Sequence, residues 1–421
     1  MRTLPVPMLT AMTACALAAC ENDPGPSAAG PNVVTETIGD TTVVRTLSGS
    51  VWGAEATLVP EISVGELDGA EEHLFGSISS IAVNDNRDLY VLDEQAQHVR
   101  VFDSAGVYVE TLGRTGEGPG EFGFAEAIAL LPDGRLVVRD SRNQRISVFG
   151  PGPGQTDHWG FVSGNSGSNY PLHTDMHGRT YLYTRDLSRD DFAMHIIVLG
   201  PDGTHIDTLP EPSSPHEVPP LTAEHAAEWG TSTASAPVPF TPRFQWTVHP
   251  SGHFLTGLPS EYRIDLPRDD GVLRIERTTD PAPVLDGEHA DQRDRVVRSM
   301  RNTDPGWDWD GPPIPEHKPF YRGLLAGRGG RIWVRLWTEG YTVENENHDP
   351  QNPSSPPVLW REPLRYDVFE VDGTYLGAVA PPDEFSPYVR PVFDGDYVWG
   401  VTRDELGVQR VVRFRIEVGG G

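Results

Sequence analysis

The chain has 421 residues, enough for one large all-β domain or for two to three domains of ordinary size. Hydrophobic residues make up 37% of it and aromatic residues 9%, which excludes disorder throughout. The formal net charge of −28 argues against a nucleic acid partner, because phosphate binding requires concentrated positive charge. Lys318 is the only lysine, so arginine supplies nearly all of the basic charge.

The first twenty residues have the pattern of a secretory signal. Arg2 precedes an apolar run that is too short to span a bilayer as a helix. The run ends in Leu17-Ala18-Ala19-Cys20, which resembles the lipobox of bacterial lipoproteins, where the cysteine is lipidated after export. An ordinary signal peptide with a chance cysteine is the alternative. We predict a signal peptide over 1–19, and then a lipidated Cys20 with a flexible tether over 20–50, anchoring the exported protein to a bacterial membrane on its periplasmic or cell-surface side.

The body of the chain is repetitive. Residues 89–102 (LYVLDEQAQHVRVF) align with residues 136–149 (LVVRDSRNQRISVF), and Asp93 coincides with Asp140. Apolar and polar residues alternate in each segment and Gly/Asp turns separate the segments, which predicts short antiparallel strands. A repeat of about 40–50 residues built from four such strands is typical of a propeller blade.

Weaker copies of the repeat continue along the chain, and the last copy has only three strands before the sequence runs out. Residues 56–64 precede an acidic, glycine-containing loop like the one that follows blade 1, so we expect them to supply the missing outermost strand. We therefore predict an all-β fold over residues 51–421. It is a six-bladed β-propeller of four-stranded antiparallel blades, with the ring closed by an N-terminal strand that joins the C-terminal blade.

The glycine-rich stretch GRTGEGPGEF, residues 113–122, is predicted to form the corner between blades 1 and 2. It differs from a phosphate-binding loop because no lysine follows the glycines and no helix start is signalled. Glu117 and Glu121 in the same stretch would also repel an anion.

GRTGEGPGEF and the segment LVVRDSRNQRISVF that follows it resemble the NHL-type repeat, and in particular the repeats of bacterial six-bladed β-propeller lipoproteins. The resemblance is strong over residues 74–150 and architectural over 170–418. It implies a six-bladed ring and a location in the cell envelope, without a defined activity. The wider six-bladed class includes lactonases, amidating lyases and pure binding modules.

Three insertions interrupt the repeat, near 210–241, 285–316 and 340–363. Residues 223–229 in the first insertion are predicted to form a short helix, and residues 285–302 in the second a surface helix. Long loops on a rigid scaffold commonly carry specificity, so the insertions indicate a functional face. The alternative is that they are surface loops without a role in recognition.

Arginine and tyrosine side chains are expected to converge at one end of the propeller channel, where the second strands end and the inner strands begin. Such a mouth favours a carboxylate, phosphate or sugar ligand. Alternatively, aspartates at these positions cap turns and the neighbouring arginines pair with them. The candidate ligand-binding residues are Glu126, Arg139, Tyr170, Arg243, Arg322, Arg335, Tyr388 and Arg403.

The sequence contains two groups of side chains of the types that bind metal ions. The histidine group falls in turns at the end of the channel opposite the expected mouth, and the aspartate group lacks the spacing of a calcium loop. We expect no metal or other cofactor, with Zn²⁺ or Ca²⁺ as the alternative. The residues are His173, Asp175, His177, His249 and His253 for zinc, and Asp304, Asp308 and Asp310 for calcium.

The sequence therefore predicts a membrane-anchored binding module for a small polar or anionic ligand or for another envelope protein, with no nucleic acid partner. No catalytic residues are assigned, because no Ser-His-Asp order and no helix-borne HExxH are present. The alternative is a metal-dependent hydrolase or lyase, lactonase-like or amidating-lyase-like, acting in the channel.

Overall fold

A computed structural model describes residues 30–152, 154–160, 170–185, 193–227, 230–352 and 355–419. These residues form 31 β-strands and a single α-helix, which confirms the expected all-β class. The predicted signal peptide and Cys20 lie outside the described residues. In the ranges given above, no helix is long and apolar enough to cross a membrane.

The first half of the chain holds three N-terminal strands and blades 1 to 3. Each of these blades is a four-stranded antiparallel sheet in which strands that follow each other in sequence are paired. A 3-10 turn, Glu71–His73, precedes blade 1. The strands are β1 (Asn32–Ile38), β2 (Thr41–Ser48), β3 (Ala56–Val64), β4 (Ile78–Val83), β5 (Leu89–Asp93), β6 (His98–Phe102), β7 (Tyr108–Leu112), β8 (Ala125–Leu130), β9 (Leu136–Asp140), β10 (Arg145–Phe149), β11 (Thr156–Gly160), β12 (Leu172–Thr174), β13 (Thr180–Arg185), β14 (Met194–Leu199) and β15 (His205–Pro210).

The second half holds blades 4 to 6 and the insertions. Blade 4 is β18 to β21, blade 5 is β22, β23, β26 and β27, and blade 6 is β29, β30, β31 and β3. The elements are β16 (Leu221–Ala227), β17 (Gly230–Ala236), β18 (Gln245–Val248), β19 (Phe254–Gly257), β20 (Arg263–Arg268), β21 (Gly271–Arg277), α1 (Asp286–Arg301), β22 (Tyr321–Ala326), β23 (Ile332–Leu336), β24 (Tyr341–Glu344), β25 (Val358–Arg361), β26 (Tyr366–Phe369), β27 (Tyr375–Ala380), β28 (Phe385–Ser386), β29 (Val392–Asp394), β30 (Tyr397–Arg403) and β31 (Gln409–Val418).

A recurring tight turn joins the first and second strands of several blades. In blade 2 the N–H of Gly134 donates to the carbonyl of Leu131 at 2.9 Å, and Gly134 has a φ of +86°. Side chains strongly disfavour that conformation, so the turn requires glycine. Gly178, Gly252 and Gly330 adopt the same conformation in blades 3, 4 and 5, which explains the glycine turn signals of the repeat.

Buried aspartates at the ends of the second strands hold the corners between blades. Asp140 accepts hydrogen bonds from the N–H groups of Gly123 and Phe124, and Asp93 accepts the equivalent pair at the start of blade 1. In the 113–122 corner the carboxylate of Glu121 accepts the Gly118 N–H at 2.9 Å. A carboxylate of the chain therefore binds an amide that a phosphate loop would offer to its ligand.

Six hydrophobic clusters pack consecutive blades face to face, and burial of these apolar surfaces supplies the main stabilisation of the fold. One of them packs the last blade against the first. One residue from each of the two blades illustrates each cluster. In order from the interface of blades 1 and 2 to the interface of blades 6 and 1, these residues are Leu92 and Ile128, Ile146 and Leu182, Ile196 and Val248, Ile264 and Val334, Val368 and Phe414, and Val91 and Trp399.

Residues 32–64, which we call the N-terminal strap, run along the outer edges of blades 4, 5 and 6. β2 pairs in parallel with β21, the N–H groups of Val51 and Trp52 donate to carbonyls of β27, and β3 pairs antiparallel with β31. The strand predicted over residues 56–64 therefore pairs with the last strand of the chain, as expected.

The strap corrects one sequence-based expectation. Residues 32–48 lie within the predicted flexible tether of residues 20–50, but they form a hairpin that extends the sheet of blade 4. The physical reason is a two-residue Gly39-Asp40 turn between two runs rich in threonine and valine, a strong hairpin signal.

The insertions pack together beside blade 5. The predicted helix over 285–302 is confirmed as α1, whose Val296 and Met300 are buried in a cluster with the hairpin β16–β17. The helix predicted over 223–229 is wrong, because residues 223–227 belong to strand β16 of that hairpin. Residues 228–229 lie outside the described residues. Leu221 and Ala223 are buried whereas Thr222 and Glu224 are exposed, which is the two-residue period of a strand.

Candidate functional site

Residues of the inner strands line a channel of about 1350 Å³. The channel runs from the starts of the inner strands, where Glu126, Tyr170 and Tyr388 lie, to the first turns at the opposite end. We call the first of these ends the mouth. Every inner strand contributes to the wall: Ser79–Val83 of β4, Glu126–Leu130 of β8, Leu172–Thr174 of β12, Val248 of β18, Ala326 of β22, and Val392–Asp394 of β29.

Arg390 reaches across this channel. It precedes β29 in blade 6, and its guanidinium contacts two blades on the far side. Its Nη1 lies 3.3 Å from Nε2 of His173 in blade 3, and its Nη2 donates to the hydroxyl of Thr247 in blade 4 at 3.1 Å. No carboxylate of the described residues forms an ion pair with Arg390, so its charge is not neutralised by the chain described above.

The electrostatics keep Arg390 cationic and His173 neutral. Burial lowers the pKa of Arg390 to about 10, which still leaves the guanidinium charged at neutral pH. Burial, and then the neighbouring Arg390 charge, hold the pKa of His173 well below its ordinary value. Its Nε2 can therefore accept a hydrogen bond from Arg390, and the pair carries one positive charge inside the channel.

Glu126 and Arg139 form a buried pair near the mouth. A bulge in β8 between Ala125 and Ala127 places Glu126 opposite the end of β9, and its Oε2 lies 3.2 Å from Nε of Arg139. Burial raises the pKa of Glu126, although the Ser141 hydroxyl and the Arg139 charge oppose the shift. Arg139 also donates to the carbonyl of Tyr183 in blade 3 at 3.3 Å.

Aromatic rings continue the mouth from this pair toward blade 4. The ring of Tyr170 packs edge-on against Tyr183 at 4.7 Å between centroids, and Tyr183 packs against Trp246 at 5.3 Å. Three of the predicted residues, Glu126, Arg139 and Tyr170, are therefore brought together, because Arg139 contacts both Glu126 and Tyr183, and Tyr170 packs on the Tyr183 ring.

Arg322 and Arg335 lie on the other side of the ring, in blade 5. Arg322 donates to Glu362 at 2.6 Å and stacks on Trp337 at 3.8 Å. The buried Lys318 bonds the same Glu362 and also Glu288 of α1, each at 2.7 Å. Arg322 therefore belongs to a network that fastens the insertions to blade 5.

The remaining predicted residues are not gathered into one site. Tyr388 is 93% exposed at the mouth, and Arg243 and Arg403 are exposed on the surface. Arg390 and Thr247 are not among the residues predicted from the sequence, and His173 was predicted only as an alternative metal ligand. The available signal was an arginine within the predicted inner strand 389–393, two residues after Tyr388.

The side chains considered for metals have other partners. Asp175 accepts hydrogen bonds from its own turn and from Tyr181, and His249 contacts Ser251 and the carbonyl of Gly330. Asp304 accepts the Gly306 N–H. Within the described ranges no three His, Cys, Asp or Glu side chains lie close enough to hold a metal ion.

A family model described as a six-bladed β-propeller, DUF5128, matches residues 57–150, which hold nearly all of β3, the whole of blade 1 and the first three strands of blade 2. The fold is a β-propeller. No curated protein matches the chain.

Three solved structures illustrate the similarity of the β-propeller to known proteins. A member of the DUF4221 family from Bacteroides vulgatus ATCC 8482 is 12% identical, covering 86% of this chain and 99% of that one with a TM-score of 0.46. Virginiamycin B lyase from Staphylococcus aureus is 11% identical, covering 83% and 98% with a TM-score of 0.40. A gluconolactonase from Xanthomonas campestris is 12% identical, covering 85% and 97% with a TM-score of 0.36. These similarities are too weak to carry information about activity.

Proposed function

We propose that this β-propeller is a binding module that holds a small anion in its channel through Arg390. The observation that carries the proposal is a guanidinium inside the channel with a hydroxyl and a neutral imidazole as its partners. The ligand is a carboxylate or phosphate, since these groups match the planar fork of an arginine.

The energetics favour an anion at this position. A charged group that loses water costs free energy unless another charge or hydrogen bonds compensate for it. Two contacts from His173 and Thr247 leave most of the guanidinium N–H groups available to a ligand. An acid group at Arg390 both neutralises the charge and accepts these hydrogen bonds.

The proposal includes a closed ring of six blades around the anion. It is supported by the pairing of β3 with β31, which adds a fourth strand to blade 6. Further support comes from the cluster of Val91 and Trp399 between the last and first blades, and from contact between β29 and β4.

The proposal also includes export and lipid anchoring through Cys20. Its support is the sequence Leu17-Ala18-Ala19-Cys20 and the apolar run before it. Labelled palmitate should be incorporated into the protein in its bacterial host and lost in Cys20→Ser. Incorporation that persists in the variant would contradict the anchor.

Calorimetric titration of the full-length protein tests the anion site. Hexanoate, a carboxylate with no other polar group, and inorganic phosphate are the probes. We expect one of them to bind, and the binding to be lost in Arg390→Gln. Arg328→Gln is the matched control, because Arg328 also lines the channel but is paired with Asp85 and Asp394.

Equal affinity in wild type and Arg390→Gln, or no binding of either probe to the wild type, would overturn the proposal. In the second case the insertion-bearing face becomes the candidate surface for an envelope protein. A catalytic turnover of lactones that a chelator abolishes would favour the metal-dependent hydrolase or lyase instead.

A further inference from the structure

We infer that the channel ligand is a sugar acid or a similar polyhydroxy acid, whose acid group binds Arg390 and whose far hydroxyl donates to Glu126. This inference rests on the proposed function and adds to it the chemical class of the ligand. The structural basis is a second polar group in the channel wall, separate from Arg390, whose oxygens have no well-aligned hydrogen bond from the described residues.

Glu126 is that second group. It contributes to the channel wall and is only 3% exposed. Both of its carboxylate oxygens are buried, and neither has a hydrogen-bond partner of good geometry among the described residues, although Arg139 and Ser141 lie nearby. Buried polar groups in folded proteins almost always have a hydrogen-bond partner, so an unsatisfied one requires an explanation. A donor on a bound ligand provides it.

The contacts between neighbouring inner strands give the separation of the two groups along the channel. The Thr174 hydroxyl donates to the carbonyl of Leu130 at 2.7 Å, so His173 lies at about the level of residue 129. Glu126 is three residues nearer the mouth, which corresponds to about 10 Å of strand. A ligand that reaches both Arg390 and Glu126 must therefore be extended along the channel.

The charge near Glu126 selects a hydroxyl over an ammonium group as the donor. Arg139 already places a positive charge 3.2 Å from Oε2, and the pair is buried. A ligand ammonium would bring a second cation to one carboxylate in a site shielded from water, which is costly. A hydroxyl satisfies the carboxylate oxygen without adding charge.

Length and polarity together define the ligand class. A three-carbon hydroxy acid is shorter than the separation of about 10 Å between the two levels. An acid with a six-carbon polyol chain is long enough. Its intermediate hydroxyls can contact other polar residues of the wall, including Ser80 and Thr174. Gluconate is therefore a suitable probe, and lactate is its short counterpart.

The test compares four ligands on the full-length protein by calorimetric titration: gluconate, lactate, hexanoate and 6-aminohexanoate. We expect gluconate to bind ten- to a hundredfold more tightly than hexanoate, the range expected when a buried carboxylate gains a hydrogen bond. In Glu126→Gln the advantage of gluconate should shrink by about tenfold, while the affinity for hexanoate is unchanged. Glu224→Gln, at an exposed position on β16 outside the channel wall, is the matched control.

The ligand comparison on wild-type protein keeps the inference testable even if Glu126→Gln does not fold. Hexanoate binding that depends on Arg390, with gluconate no tighter, would overturn the ligand class and leave the anion site intact. Stronger binding of 6-aminohexanoate than of gluconate would replace the polyhydroxy acid with an amino acid. Failure of all four ligands would overturn both proposals.

Discussion

The hydroxyl of Tyr262 donates a 2.6 Å hydrogen bond to Oδ2 of Asp367, and this bond joins blade 4 to blade 5. Tyr375 donates to the other carboxylate oxygen at 2.7 Å, and Arg277 donates to Oδ2 at 3.0 Å. Asp367 is fully buried, so these three donors replace the water that the carboxylate loses on folding. They form a polar centre in an otherwise apolar interface.

Removing the Tyr262 hydroxyl should destabilise the propeller. Tyr262→Phe keeps the ring in the interface but takes one donor from a buried, charged acceptor, so we expect the free energy of unfolding to fall by about 1.5–3 kcal/mol. Urea unfolding followed by tryptophan fluorescence measures this change. Tyr341→Phe, at an exposed position of β24, is the control and should have no measurable effect. Equal stability of the two variants would show that the Asp367 contact contributes nothing.

The buried lysine should matter far more than a surface ion pair. Lys318→Met leaves the Glu288 and Glu362 carboxylates buried near each other without their shared cation, at an expected cost of about 3–5 kcal/mol. Arg295→Met breaks a single pair with Asp291 on the exposed face of α1, which should cost less than about 1 kcal/mol. Thermal unfolding of both variants compares them directly. Similar losses would contradict a stabilising role for the buried network.

The affinity for an anion should depend on pH at the alkaline end. Because the pKa of Arg390 is lowered to about 10, its guanidinium is charged throughout the neutral range and loses its proton above that value. We expect hexanoate affinity to be nearly constant between about pH 7 and 9 and to fall by up to about tenfold for each pH unit above 10. Titrations in matched buffers check this profile, within the pH range where circular dichroism shows a folded protein. A decline that begins below pH 9 would point to another group.

His173 should make the protein less stable as the pH falls. Its folded-state pKa is held well below the ordinary value, so the unfolded chain binds a proton near pH 6.5 while the folded chain does not. The free energy of unfolding should therefore decrease below about pH 6.5, by up to about 1.4 kcal/mol per pH unit from this residue. The slope should be smaller in His173→Gln.

Other histidines set the background for that experiment. The pKa of His98 and the pKa of His249 are also lowered by burial, so the wild-type slope contains their contributions as well. The difference between wild type and His173→Gln isolates the channel histidine. Parallel curves for the two proteins would mean that His173 does not titrate differently on folding.

Features of the fold that depend on local sequence were predictable. Glycine turns such as the one at Gly134 depend on residues only a few positions away. The aspartates Asp93 and Asp140 accept hydrogen bonds from the backbone of the nearest corner between blades. Both features recur with the repeat. Residues 223–227 were mistaken for a helix because their alanine and glutamate residues favour helices locally, whereas pairing with β17 and packing against α1 decided the outcome.

The candidate site was harder to predict because it depends on distant strands. Arg390 meets His173 and Thr247, more than a hundred residues away in sequence, only because three inner strands face one channel. Whether an inner-strand side chain points along the axis or between blades depends on register and bulges, which the sequence does not show. Glu126 was identified because it lies at the start of an inner strand. Arg243 met the same criterion and Arg403 was chosen near the end of a second strand, yet both are exposed.

The N-terminal strap constrains the order in which the chain can fold. Glu61 and Arg413 form an ion pair although 352 residues separate them in sequence, and the whole of β3 depends on β31 for its antiparallel partner. Bringing such distant segments together costs chain entropy before any contact compensates for it, and this slows folding. Blade 6 is therefore incomplete until both ends of the pairing have been synthesised.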